Sequence, residues 1–140
     1  MNTDDIVAIY QLESRTHHVI DHADFKTLLP TVFTADARFD GRQTGGPLHE
    51  GIDAIIGFFA LGKPPHPPAH QASSYWVYEE NGKVYCKSKW FILDQEGSGI
   101  YIGDNTDEVV KTADGWRIKE RVAMLRGGSI TPEASAASMK

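Results

Sequence analysis

The sequence predicts an α+β domain in which N-terminal helices cover one face of a curved antiparallel sheet. Two observations carry that prediction. Helical apolar spacing is confined to the first 61 residues, and from Ala69 onward the chain changes to four long β-type segments separated by turn signals. A third observation sets the scale: 140 residues is the size of one compact domain, so helices and strands must share a single core. The expected domain covers residues 1–126. Residues 127–140, small, polar and without apolar periodicity, are expected to form a flexible tail.

Residues 4–22 read as the first helix. At about 100° per residue, Ile6, Ile9, Tyr10, Glu13, Thr16, His17, Ile20 and Asp21 fall within one arc of roughly 140°. The same angles put His18 and His22 on the opposite side, so His17 is expected to be buried and the other two exposed. Asp24 is placed to cap a short second helix through about Val32, which the turn-like Thr34-Ala35-Asp36 ends. A short strand, Ala37 to Asp40, follows. Residues 41–50 carry three glycines and a proline and read as a loop, and Ile52 to Leu61 has the spacing of a small amphipathic helix closed by Gly62. Lys63-Pro64-Pro65-His66-Pro67-Pro68 reads as a stiff connector.

The β segments are Ala69–Glu79, Val84–Asp94, Gly99–Thr112 and Trp116–Arg126. Asn81-Gly82 is a two-residue hairpin signal, while Gln95-Glu96-Gly97-Ser98 and Ala113-Asp114-Gly115 suit longer turns, so four consecutive antiparallel strands are expected. Simple alternation puts Trp76, Tyr78 and Trp90 on the face of His70, where they would wall a pocket for a flat apolar ring. It puts Tyr75, Val77, Tyr85 and Phe91 on the outer face, and apolar area of that extent points to a homodimer.

Composition excludes several function classes. Fourteen Lys and Arg against nineteen Asp and Glu give a net charge of -5, which lacks the cation surplus that nucleic-acid binding requires. The start, Met1-Asn2-Thr3-Asp4-Asp5, is acidic where an export signal is basic, and the longest apolar-rich stretch, Ala54–Leu61, is too short to span a bilayer. A cytoplasmic protein without membrane or nucleic-acid partners is the expectation. The single Cys86 cannot form an internal disulfide and reads as a small core residue. No metal site is expected: His66 and His70 are four apart but Pro67 and Pro68 prevent the helix that would align them, and His18 and His22 face outward. There is no glycine-rich nucleotide loop and no nucleophile elbow, so no cofactor is expected.

Polar groups on the inner stripe of the first helix need compensation if that stripe is buried, and a pocket supplies it. Five segments carry a resemblance that fits. Val19-Ile20-Asp21-His22-Ala23-Asp24-Phe25, Phe33-Thr34-Ala35-Asp36-Ala37, Gly51-Ile52-Asp53-Ala54-Ile55, Ala69-His70, and Gly115-Trp116-Arg117-Ile118 with Arg121 together resemble the SnoaL-like branch of the nuclear transport factor 2-like superfamily. The resemblance spans residues 5–126. It implies a cone-shaped α+β barrel, a curved antiparallel sheet wrapped around three N-terminal helices, with a central apolar cavity and dimerisation through the sheet. Members include polyketide cyclases, dehydratases and a dehydrochlorinase, and also non-enzymatic binders.

In the lyase members an Asp that ends helix 1 and a His that begins the first long strand form a dyad, and the matching positions here are Asp21 and His70. A carboxylate that accepts the ring N–H fixes the imidazole tautomer and stabilises the imidazolium formed once a substrate proton has been taken. On the residues alone, Asp21 could equally be a helix-end group and His70 ordinary strand packing. Thr16 stands where the dehydrochlorinase has a Lys and a bile-acid dehydratase a Tyr, and Ser88 stands nearest to a second His of scytalone dehydratase. Glu13, His17 and Tyr10 share the helix stripe, and Arg121 resembles the pocket arginine of the dehydrochlorinase, so Tyr10, His17 or Arg121 would polarise or protonate a substrate oxygen. Asp107 matches a recurrent acidic position and is either a second acid or an exposed strand-end carboxylate. The reading is a cofactor-independent lyase or isomerase, of dehydratase or cyclase type, with a small hydrophobic ring compound as substrate. The alternative is a non-catalytic binding or accessory protein on the same fold.

Overall fold

The computed structural model describes residues 1–61, 70–93 and 99–128. Helix α1 spans Thr3–Ile20, with the Asn2 side chain accepting the Asp5 N–H at its start and Asp4 and Asp5 complementing the dipole there. Helix α2 is a single turn, Phe25–Leu28, extended by a 3-10 turn over Leu29–Thr31. Strand β1, Phe33–Gln43, is much longer than the four residues expected, and β2, Leu48–Glu50, lies within the expected loop. Helix α3 spans Ile52–Leu61, and β3, His70–Glu80, β4, Lys83–Leu93, β5, Ile100–Thr112, and β6, Gly115–Gly127, follow within a residue of their expected limits. The connector after α3, the turn at 95–98 and all of the tail after Gly128 lie outside the described residues.

The six strands form one open, mixed sheet in the order β2-β1-β6-β5-β4-β3. The four-stranded antiparallel meander expected from the turns is present, but β1 joins it by pairing parallel to β6, with β2 antiparallel at its outer edge. Asn81 and Gly82 both adopt positive φ, 51° and 75°, as a two-residue hairpin between β3 and β4 requires. The sheet curves around α1 and α3, and the core lies between them: Ile9, Leu12, Val19 and Ile20 from α1, Phe25, Leu29 and Val32 from the α2 region, and Ile55 and Phe59 from α3. These meet Phe33, Ala37, Cys86, Val109 and Ile118 of the sheet.

Two expectations of facing are corrected. The buried stripe of α1 runs through Leu12 and Val19 in place of Ile6 and Tyr10, so Tyr10 sits at the rim, 38% exposed, against the ring of Tyr75. On β3 the pairing with β4 gains one residue between Ser73 and Trp76, where Ser74 takes a φ of 58°. That bulge reverses the alternation. Tyr75 and Val77 turn inward onto the core, while Trp76 and Tyr78 turn outward beside Tyr85. Asp24 occupies the position before α2 but makes no side-chain cap. As the helical angles require, His17 is buried and His18 and His22 are exposed.

Candidate active site

Asp21 follows the last turn of α1 and His70 opens β3, and the fold brings them together across 49 positions of sequence. The Asp21 carboxylate accepts twice from one residue: Oδ2 takes the His70 backbone N–H at 2.8 Å, and Oδ1 takes the ring Nδ1–H. The second bond puts the proton on Nδ1, which makes Nε2 the nitrogen that carries the lone pair. The first fixes the strand to the helix end, so the ring is oriented through its own backbone as well as through its side chain.

His70 lies in the wall of a cavity of about 320 Å³ between the sheet and the helices. Ile20, Phe39, Phe58, Phe59, Trp90, Ile92, Tyr101, Ala123 and Leu125 make its apolar surface, and His17, Asn105 and Arg121 bring polar groups into it. A more polar recess beside it is lined by Ser14, His18, Gln71 and Tyr75, and shares His17 and His70 with the cavity. The dyad therefore stands on the partition between an apolar chamber and a polar one.

Beneath the cavity lies a buried charge cluster. Strands β5 and β6 pair Asp107 with Arg121, and the Asp107 carboxylate takes Nε–H at 2.9 Å and Nη2–H at 2.5 Å in a two-pronged ion pair. Nη2 also donates to Glu13 Oε2 at 3.0 Å. Two carboxylates sharing one guanidinium cannot both ionise cheaply away from water. Burial, reinforced by the negative charge of Asp107, pushes the Glu13 carboxyl well above the usual range, which favours its neutral form. Burial opposes the charge of Arg121, but Asp107 outweighs it and the guanidinium is held even more firmly charged than usual. Arg121 reaches this face because the β5–β6 register shifts between Ile118 and Glu120, so that Ile118 and Arg121 both point inward.

His17 is 7% exposed and its Nδ1 lies 2.9 Å from the Glu13 carbonyl oxygen one turn back. A carbonyl oxygen only accepts, so Nδ1 carries the proton. Burial, followed by the nearby positive charge of Arg121, lowers the His17 pKa to about 4, which keeps the ring neutral. Its Nε2 is then an acceptor, and His17 cannot protonate a substrate oxygen in the way its position on the stripe suggested.

Of the other expected site residues, Glu13, Asp107, Arg121 and Trp90 join this assembly, and Asp107 is fully buried rather than an exposed strand-end carboxylate. Three do not join it. The Thr16 hydroxyl is spent on the Leu12 carbonyl at 2.7 Å within α1, Tyr10 is at the rim, and Trp76 is 61% exposed on the outer face because of the Ser74 bulge. Cys86 is buried in the core, where burial pushes its thiol up, away from thiolate chemistry. Sequence reasoning missed Phe39, Phe58, Phe59 and Asn105. Asn105 shares strand parity with Asp107 and could have been found from it, whereas Phe39 gave no signal beyond that of a short strand and Phe58 and Phe59 none beyond that of a packing helix. Among the described residues no group of three or more His, Cys, Asp or Glu side chains is arranged to hold a metal, and no helix is long and apolar enough to cross a membrane.

Comparison with known proteins places this geometry among related folds. A family model described as a SnoaL-like domain matches residues 1–122. Among solved structures, a candidate aromatic ring hydroxylase from Novosphingobium aromaticivorans superposes with a TM-score of 0.77 at 22% identity, over 96% of this chain and 99% of that one. An NTF2-like protein with a cystatin-like fold from the same organism gives 0.73 at 20% identity, over 95% and 88% of the two chains. LinA gives 0.73 at 17% identity, over 90% and 88%. At these identities the likeness shows a shared fold. No curated protein matches the sequence.

Proposed function

We propose, on the premise that this chain belongs to the SnoaL-like domain family, that it is a cofactor-independent lyase or isomerase acting on a small hydrophobic ring compound. The observation that carries the reading is the Asp21–His70 dyad set in the wall of an apolar cavity. One structural neighbour, a candidate aromatic ring hydroxylase, supports ring compounds as the class.

His70 Nε2 removes a proton from carbon next to a carbonyl. The C–H electron pair passes into the ring as an enolate, and the imidazolium that forms is balanced by the Asp21 carboxylate on Nδ1. Arg121 lines the cavity and spends Nε and Nη2 on carboxylates, which leaves the N–H groups of Nη1 to polarise the carbonyl oxygen. The imidazolium then returns its proton to another carbon, completing an isomerisation, or to a departing oxygen, completing an elimination. An open cavity beside a formed dyad supports turnover over mere occupancy.

The test is proton exchange. Incubated in D2O with 2-tetralone and related cyclic ketones, the wild-type protein is expected to accelerate deuterium incorporation next to the carbonyl, read by NMR, and His70→Ala to abolish the acceleration. Equal exchange by His70→Ala would remove the base from the mechanism, and no acceleration with any ketone would leave the binding-protein reading.

A further inference from the structure

Resting on the reading of the cavity as a substrate site, we infer that His17 is its specificity-determining hydrogen-bond acceptor, selecting ring compounds that carry a hydroxyl. Nothing in the general-base step requires His17, yet the fold buries it and orients it. The tautomer is set from behind, because Nδ1–H is spent on the Glu13 carbonyl at 2.9 Å within the same helix. The lone pair on Nε2 is left, and among the described residues no donor reaches it. His17 lines both the apolar cavity and the polar recess beside it. A ligand that fills the cavity takes water away from this acceptor, and a ligand O–H replaces the lost bond where a C–H or an ether does not.

The neighbours sharpen the choice. Arg121 is a permanent cation facing the same cavity and supplies donors only. A bound ligand therefore meets donors at Arg121 and an acceptor at His17, and a hydroxyl brings the donor that His17 can take. A ketone or an ether satisfies Arg121 alone. Protonation of His17 would turn its acceptor into a donor and erase the distinction, and burial beside Arg121 holds it neutral down to a pH of about 4. The expected substrate class is thus a hydroxylated ring ketone, or the enol form of a ring diketone, with the hydroxyl directed at His17 while His70 acts on a neighbouring carbon.

The inference is tested by binding and needs no turnover. Naphthalene, 2-methoxynaphthalene and 2-naphthol share one ring frame. The ether keeps the oxygen lone pairs that Arg121 can use and lacks only the donor. Titrated against wild-type protein by calorimetry at pH 7, 2-naphthol is expected to bind about tenfold more tightly than either of the others, the value of one neutral hydrogen bond. His17→Phe is expected to bring 2-naphthol within about threefold of the ether, and His17→Gln, whose amide oxygen can accept, to restore part of the preference. Should His17→Phe not fold, the imidazole 15N spectrum of the wild type decides: the Nε2 resonance moves on adding 2-naphthol and stays in place with the ether. Equal binding of the three probes by wild type, no binding of any, a preference that survives His17→Phe, or an unmoved Nε2 resonance would overturn the inference. Proton exchange and the 2-naphthol preference are read separately on the wild type: loss of the preference with exchange intact overturns this inference alone, and absence of exchange with the preference intact overturns the catalytic reading alone.

Discussion

The indole of Trp90 lies in the space that a β-carbon on Gly103 would occupy, directly across the β4–β5 pair. A methyl group there meets the indole ring and the Met124 carbonyl at less than contact distance. Gly103→Ala must therefore push Trp90 toward the cavity that it helps to line. The expected cost is about 1–3 kcal/mol of stability together with weaker 2-naphthol binding, read by thermal denaturation followed through tryptophan fluorescence. An unchanged midpoint with unchanged binding would show that the sheet yields more easily than its packing implies.

Asp21→Asn separates orientation from charge. The amide can accept from one of the two His70 N–H groups but presents its own N–H to the other, so the ring loses its fixed tautomer while the helix end survives. Proton exchange is expected to fall by about 10²–10⁴-fold with circular dichroism unchanged. Activity within a few-fold of wild type would mean that His70 is oriented by other contacts.

The two carboxylates on Arg121 are expected to differ sharply. Asp107→Asn leaves a buried guanidinium without its bidentate anion and is expected to cost about 3–5 kcal/mol. Glu13→Gln replaces a carboxyl whose raised pKa favours the neutral form with a near isostere, and a change below about 1 kcal/mol is expected. Chemical denaturation measures both, and equal losses would show that Glu13 is ionised.

Stability should also depend on His17 below neutrality. Its folded-state pKa is lowered from 6.5 to about 4 by burial first and Arg121 second. Above pH 6.5 neither folded nor unfolded chain binds the proton, and the contribution is fully present. As pH falls from 6.5 toward 4 the unfolded chain takes up a proton that the folded one refuses, and up to ~3 kcal/mol is lost. Glu13 works the other way, because its raised pKa makes stability fall as pH rises above the ordinary carboxyl value of 4.5. His17→Gln should flatten the acid limb and Glu13→Gln should steepen it, as measured by urea midpoints between pH 4 and 7.

Trp76, Phe91, Leu93 and Ile102 are exposed on the outer face, with Tyr78 and Tyr85 stacked among them. Lys87 sits 5.7 Å from the ring centres of Trp76 and Tyr78. We expect this face to pair with a second copy, since apolar surface of this extent is usually covered. Light scattering at micromolar concentration should give twice the chain mass, and Trp76→Glu should return it to that of one chain. A wild-type monomer would assign the face to another partner.

The sequence by itself determined whatever depends on a few neighbouring residues. Helical spacing settled which histidine of His17 and His18 turns inward, and Asn81-Gly82 placed the hairpin. Asp21 and His70 were legible only through resemblance, since nothing local joins a helix end to a strand 49 positions later. The tertiary structure alone decided the facing of β3, because one serine at positive φ inserts a bulge that no side chain announces and sends Trp76 outward and Tyr75 inward. It alone brought Asp107 to Arg121, through a strand register that tolerates an extra residue near Lys119, and it alone gave β1 a parallel partner in β6. Pairing across strands is set by where the whole chain can close its core and satisfy its buried charges. That condition is global, and residue pattern records only the local half of it.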